Sequence, residues 1–211
     1  HHEPATSVVA ISAQHAPVYS TFPDMALVAK TAFPQLQFRM RPGNLSDCVT
    51  LFLRGDTSML LCYEAEGATP LQFGPNVSRG RWGNDYLVPV VGGALRFAIR
   101  DGGALPLETP AIVYPANSSF GALLQKHERP FATQAFSANP VCETAFSTGI
   151  RELVLKGLGV GWVPFSMAYR EIESGELISL AIRFGQEARE VAVYADTRVD
   201  AAAALLKVWS K

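Results

Sequence analysis

Within its first 63 residues the chain alternates between short β-branched apolar runs and longer amphipathic stretches, and few architectures accept that order. Val8 to Ala13 (VVAISA) is an apolar run of strand length, the pattern of a strand buried on both faces. After it, Phe22, Met25, Ala26, Ala29 and Phe33 recur at helical spacing, which predicts one helix with a single core face across HAPVYSTFPDMALVAKTAF. Pro34 closes it, because a proline pushes the preceding residue out of the α region. Leu36 to Arg41 alternates apolar and polar and predicts a half-exposed strand. Asn44 is a good cap for a helix with Leu45, Val49, Phe52 and Leu53 on one stripe, and Gly55 ends it. Thr57 to Tyr63 (TSMLLCY) predicts another buried strand. A β-α-β-α-β order in short units implies a parallel sheet with helices on its faces, an α/β fold.

Residues 64–84 are rich in Gly, Pro and Asn and are expected to wander before a strand at Tyr86 to Gly93, whose Gly92-Gly93 pair is a candidate hinge. A second βα series follows: AIVYP, the turn ANSSFG leading into GALLQKH, then QAFSA. Thr144 to Lys156 predicts a helix with Phe146, Ile150, Leu153 and Val154 on one face, and Val160 to Val163 a strand. SMAYREIES reads as a helix stopped by Gly175, Glu190 to Asp196 as a strand, and AAAALLKVW as a closing helix. The order predicts two Rossmann-like lobes, residues 5–91 with 191–211 as lobe I and 92–190 as lobe II. Two crossing segments between them make a hinge and an interlobe cleft, where a small molecule would sit.

At 211 residues the chain can bury a sizeable core. Its formal net charge of −1 provides no basic surface of the kind that holds nucleic acid. No window approaches the roughly 20 apolar residues of a membrane span, and no signal peptide is visible. His1-His2 reads as the remnant of a purification tag, in which case the natural N-terminus is missing. Cys48, Cys62 and Cys142 are dispersed, with no CxxC pair, which fits a reducing cytoplasm.

The run RELVLKGLGVGWVP, Arg151 to Pro164, holds three closely spaced glycines. A dinucleotide fingerprint needs strand, glycines, helix; here the order is helix, glycines, strand, and no Gly-Lys-Ser/Thr follows for a Walker loop. Gly157 stands where a helix C-cap belongs, and Gly159 and Gly161 allow close packing. The chain lacks a G-x-S-x-G elbow, and FSTG misses the first glycine. Besides the terminal pair, only His15 and His127 could serve Ser–His or metal chemistry, and no HxH or HExxH pairing supports zinc. No enzyme activity, metal or cofactor is therefore expected.

The same glycine run, followed by an acidic helix and Ser174-Gly175-Glu176-Leu177, resembles the sensory half of LysR-type transcriptional regulators. FPDMALVAKTAFPQLQFRMR is similar to that family's opening helix and second strand, and LFLRGDTSMLLCY to its L-x-x-G-x-x-D turn, with Asp56 displaced ahead of Thr57 and Ser58. YLVPVVG resembles the strand at the lobe crossing. Each motif is degenerate; the match rests on their order from about Val8 to Trp209. His15 ahead of Pro23, and Y-x-x-N-S-x-x-G at Tyr114, Asn117, Ser118 and Gly121, resemble the hypochlorite-responsive branch. That branch is associated with methionine oxidation; here Met25 and Met59 read as core, and the expected cleft turns carry Phe120 and Phe146.

The resemblance implies a type 2 periplasmic-binding-protein-like sensor in a cytoplasmic transcription factor. It would bind a small-molecule effector, assemble with itself as a dimer or tetramer, and touch DNA only through an N-terminal winged helix–turn–helix absent from this chain. No membrane contact is implied. In the family the first-lobe helices pair with the partner's second lobe, so the helices Pro23–Phe33 and Ser166–Ser174 are the expected contacts. Two further readings stay open: a periplasmic-type solute-binding protein, and a redox-sensing regulator using Cys62 or Cys142.

Independently of any family, α/β lobes bind ligands beyond the carboxyl ends of their strands. In the first lobe that turn is QHAPVYST, Gln14 to Thr21, with His15, Ala16, Tyr19 and Ser20 as candidate contacts; family members often carry Ser or Thr where Ala16, Pro17 and Val18 stand. Tyr63 ends its strand in the same lobe. In the second lobe the turn offers Asn117, Ser118, Ser119 and Phe120, with Thr144 heading a third helix and Trp162 following the glycines. Ser118 and Ser119 serve equally as helix caps, His15 as a packing or capping residue, and Trp162 as core. With no Arg or Lys in these turns, a small polar or weakly acidic effector is expected.

Overall fold

A computed structural model of the chain describes residues 7–126 and 139–211. The chain forms two compact units, one holding residues up to Asp85 together with Arg189–Lys211, the other Tyr86–Ala188. The first runs β1 (Val8–Gln14), α1 (His15–Ser20), α2 (Phe22–Ala32), β2 (Gln37–Gly43), α3 (Leu45–Leu53), β3 (Met59–Ala65) and the first half of β4 (Val77–Gly92). The second holds the rest of β4, then β5 (Ala111–Val113), α4 (Ser119–Lys126), β6 (Pro140–Glu143), α5 (Ser147–Leu155), β7 (Gly161–Pro164), α6 (Phe165–Ser174), β8 (Leu177–Ser179) and α7 (Ala181–Phe184). The chain returns to the first unit through β9 (Glu187–Asp196) and finishes in α8 (Asp200–Trp209).

In the first unit β1 pairs in parallel with β2 on one side, Ile11 opposite Met40, and with β3 on the other, Ile11 opposite Met59. β9 lies antiparallel to β3, Cys62 opposite Ala192, and β4 follows β9. In the second unit β7 and β8 flank β4, antiparallel to it, while β5 pairs in parallel with β6 and bridges to Val160. The β-α-β-α-β start thus folds as its periodicity predicts. One face of the first sheet packs Cys48 and Phe52 of α3 against Leu60, Cys62, Ala192 and Tyr194. Elsewhere in that unit Phe22, Phe38 and Trp209 form an aromatic trio, ring centroids 5.3–6.4 Å apart. The second core gathers Leu87, Val90, Ile112, Ile150, Val154, Val163 and Ala168. Met25 and Met59 are fully buried. Among the described residues no helix is long and apolar enough to cross a membrane.

Three expectations are corrected. The stretch expected to wander at residues 64–84 enters β4 at Val77. Gly80 in it is a strand glycine: a Cβ there would meet Ser210 Oγ at 2.1 Å and Leu206 Cδ1 at 2.9 Å, so the missing side chain lets α8 close on the strand. The single helix expected over the stretch from His15 to Phe33 is two, broken at Thr21 (φ −122°, ψ −35°). Pro23 has no N–H to carry the ladder onward but suits the first turn of a new helix, where none is needed. The helix expected from Thr144 begins at Ser147, because Thr144 Oγ1 accepts from Phe146 N at 3.2 Å and holds a turn ahead of it. QAFSA lies outside the described residues; β6, β8 and α7 had no counterpart in the sequence reading.

The glycine run has a packing answer. Gly157 follows α5 with φ +76°, and its backbone meets that of Gly93 (φ +55°), where a Cβ would come within 2.7 Å of Gly157 Cα. A Cβ on Gly159 would press on Pro110 O at 2.9 Å, and one on Gly161 on Ile150 Cγ2 at 2.7 Å.

Candidate functional site

In the first unit the parallel pairing of β1 and β3 brings their carboxyl ends to one edge of the sheet, which is where the polar residues converge. Gln14 closes β1, and its Oε1 accepts from Tyr63 N at 2.8 Å. That acceptance fixes the amide, since a backbone N–H can only donate. Ser20 Oγ and Tyr63 Oη lie 2.7 Å apart, and Tyr63 Oη donates to Asp85 Oδ2 at 2.6 Å. Tyr63 and Asp85 are buried; Ser20, at the end of α1, is half-buried. His15, the first residue of α1, is half-buried, Ala16 is buried and packed, and Tyr19 is 63 % exposed.

In the second unit the turn after β5 is built around Ser118. Its Oγ donates to Pro115 O at 2.6 Å and accepts from Gly121 N at 3.1 Å, so it caps the start of α4. Gly121 is obligatory there: a Cβ would lie 1.9 Å from Pro115 O. Tyr114, just beyond β5, donates its buried hydroxyl to Trp162 O at 2.9 Å and lies 2.7 Å from Ser147 Oγ at the start of α5. Burial pushes this phenol well above its ordinary range, more than the Ser147 bond offsets, so it stays neutral. Phe120 meets the Tyr114 ring edge-on at 5.3 Å. Asn117 and Ser119 are exposed, Thr144 is half-buried and Trp162 is buried.

The structure therefore joins Ser20 to Tyr63, and it sets Ser118 and Phe120 around Tyr114. Trp162 contributes its carbonyl to Tyr114. Sequence reasoning put Gln14 at the head of the first-lobe turn without a role, missed Asp85 and Ser147, and noted Tyr114 only as part of a motif. Gln14 and Tyr114 could have been found by taking the strand-end residues themselves and not only the turns after them. Asp85 had no signal, since it sits within a strand that the sequence presented as loop.

Cys48 and Cys62 are poor nucleophiles. Burial, with Glu64 next, pushes the Cys62 thiol far up, and burial with Asp47 pushes Cys48 up to about 11. Cys142 is half-buried in β6. Among the described residues no three His, Cys, Asp or Glu side chains are grouped to hold a metal.

Parallel strands ending in polar turns and capped helix starts, repeated in two α/β units, define a ligand-binding domain of the type 2 periplasmic-binding-protein-like class. Residues 2–209 match the family model described as the LysR substrate binding domain, and the chain belongs to that family, the effector-binding part of LysR-type transcriptional regulators. The regulatory domain of HypT from Salmonella typhimurium (apo-form) is similar at a TM-score of 0.78 and 20% identity, over 99% of this chain and 96% of that one. The OxyR2 regulatory domain from Vibrio vulnificus is similar at 0.71 and 16%, over 99% and 98%. Vibrio fischeri DarR, in complex with DNA, is similar at 0.77 and 15%, over 96% of this chain and 67% of that one. At these identities the likeness is one of fold. No curated protein matches the sequence. Membership in a regulator family replaces the solute-transport alternative.

Proposed function

We propose that this chain is a non-catalytic sensor that holds a small polar effector at the strand-end turns of its α/β units. The candidate contacts are His15, Ala16, Tyr19, Ser20 and Tyr63 in the first unit, and Asn117, Ser118, Ser119, Phe120, Thr144 and Trp162 in the second. The reading rests chiefly on the Ser20–Tyr63–Asp85 hydrogen-bond chain, a buried polar array at the carboxyl ends of parallel strands. Such an array is costly to build unless its outer end meets something polar. Effector binding shifts the balance between arrangements of a self-associated regulator, and DNA is contacted by a separate N-terminal domain in the cytoplasm. Redox sensing through Cys62 has little support, because its thiol stays protonated.

A thermal-shift screen of metabolites on this domain tests the reading, since a ligand that binds only the folded form raises Tm by mass action. A hit whose shift is lost in Ser20→Ala and reduced in His15→Ala and Ser118→Ala supports it. A hit unaffected by all three substitutions moves the site elsewhere, and turnover of the bound compound ends the sensor reading.

A further inference from the structure

The hydrogen-bond chain in the first unit has a direction, and the direction constrains the ligand. A phenol has one hydrogen. Tyr63 gives its own to Asp85 Oδ2 at 2.6 Å, so the 2.7 Å contact to Ser20 must be filled by the Ser20 hydrogen, with Tyr63 accepting. Asp85 starts the sequence: a buried carboxylate only accepts, and it polarises both hydroxyls the same way. The second unit repeats the arrangement. Tyr114 donates to Trp162 O, so Ser147 donates to Tyr114, and Ser118 donates to Pro115 O. The hydroxyls of Ser20, Ser147 and Ser118 thus each direct their single hydrogen into the protein.

We infer that Ser20 faces its ligand as a hydrogen-bond acceptor, so that the effector presents an N–H or O–H group there (an amide, an amine or an undissociated hydroxyl) in preference to a carboxylate. The inference rests on the effector site proposed above. A carboxylate at Ser20 would set lone pair against lone pair, or would have to turn the Ser20 hydrogen outward and leave Tyr63 without its donor, at the cost of a partly buried bond. The turns after β1 and β5, residues 14–20 and 115–121, carry no Arg or Lys of their own to offset this.

The test uses matched pairs of one carbon skeleton, nicotinamide with nicotinate, benzamide with benzoate and succinamate with succinate, titrated into ¹⁵N-labelled protein. Binding is read at the backbone amides of Ser20 and Tyr63. The carboxamide of a pair is expected to bind about tenfold more tightly than its carboxylate, with both members perturbing Ser20. In Tyr63→Phe the Ser20 hydrogen is released, and in Asp85→Asn the new amide can donate to Tyr63 and reverse the chain. Either change should narrow or invert the preference. A carboxylate binding at Ser20 as tightly as its carboxamide overturns the inference and leaves the site standing. So does a carboxamide preference that persists unchanged in both variants while each stays folded by the same spectrum. Ligands that perturb residues elsewhere, or none at all, overturn the site and the inference with it.

Discussion

The indole Nε1 of Trp209 donates to Met25 O at 2.8 Å, fastening the last helix of the chain to α2 across 184 residues of sequence. Trp209 is 1 % exposed, and its ring stacks on Phe38 while meeting Phe22 edge-on. Trp209→Phe keeps most of the packing and removes the donor, and should lower stability by about 1–2 kcal/mol. Trp209→Ala should cost about 3–5 kcal/mol. Urea unfolding monitored by circular dichroism checks both, with the slope against denaturant unchanged for the Phe variant.

Gly121→Ala should disable the turn before α4. The added methyl would stand 1.9 Å from Pro115 O, a backbone atom that can yield only by moving the Ser118 cap with it. We expect a loss of at least about 2 kcal/mol and a weaker response to any ligand that perturbs Ser118. An intact cap, seen as unchanged amide shifts at Ser118 and Ala122, would contradict this.

Arg79 ties three strands. It donates to Glu64 at 2.8 Å and to Glu190 at 2.7 Å, while Tyr194 Oη donates to Glu64 and accepts from Leu71 N. Removing it leaves two half-buried carboxylates with less compensation, so Arg79→Met should destabilise by about 1–3 kcal/mol. Adding Glu64→Gln in the same background should return part of that loss, because it removes one of the orphaned charges. A double-mutant cycle by thermal unfolding reads the coupling.

Alkaline pH should weaken the fold through its buried thiols and phenols. The Cys48 thiol titrates at an ordinary value of 9.0 when unfolded and is pushed up to about 11 by burial in the folded chain. Cys62, Tyr194 and Tyr114 are displaced in the same direction, chiefly by burial. Between the two values the unfolded chain binds fewer protons than the folded one, so stability present below pH 9 falls as pH rises towards 11. For the same reason Cys48 and Cys62 should resist iodoacetamide at pH 7.5 until the chain unfolds; rapid alkylation of native protein would show that burial does not protect them.

The residues that carried the sequence reading are those whose neighbours in space are also neighbours in sequence. Asn44 caps α3 through Asp47 N, three residues away, and Gly157 ends α5 with the positive φ that a residue after a helix favours. Ile11, Leu60 and Val193 announce buried strands by side-chain type alone. Where a glycine served a distant contact, as Gly80 does under Leu206, the same local rules misled, and a strand passed for a loop.

By itself the sequence determined the α/β order, the main helices and most strands, and the turns in which polar residues gather, because apolar periodicity and capping act within a few residues. Only the tertiary structure decided which polar groups meet. Tyr63 finds Asp85 22 positions on, and Tyr114 finds Ser147 33 positions on. Those partners depend on which strands lie side by side and which edge each helix starts from. A hydroxyl carries no mark in the sequence of the acceptor to which its one hydrogen will turn.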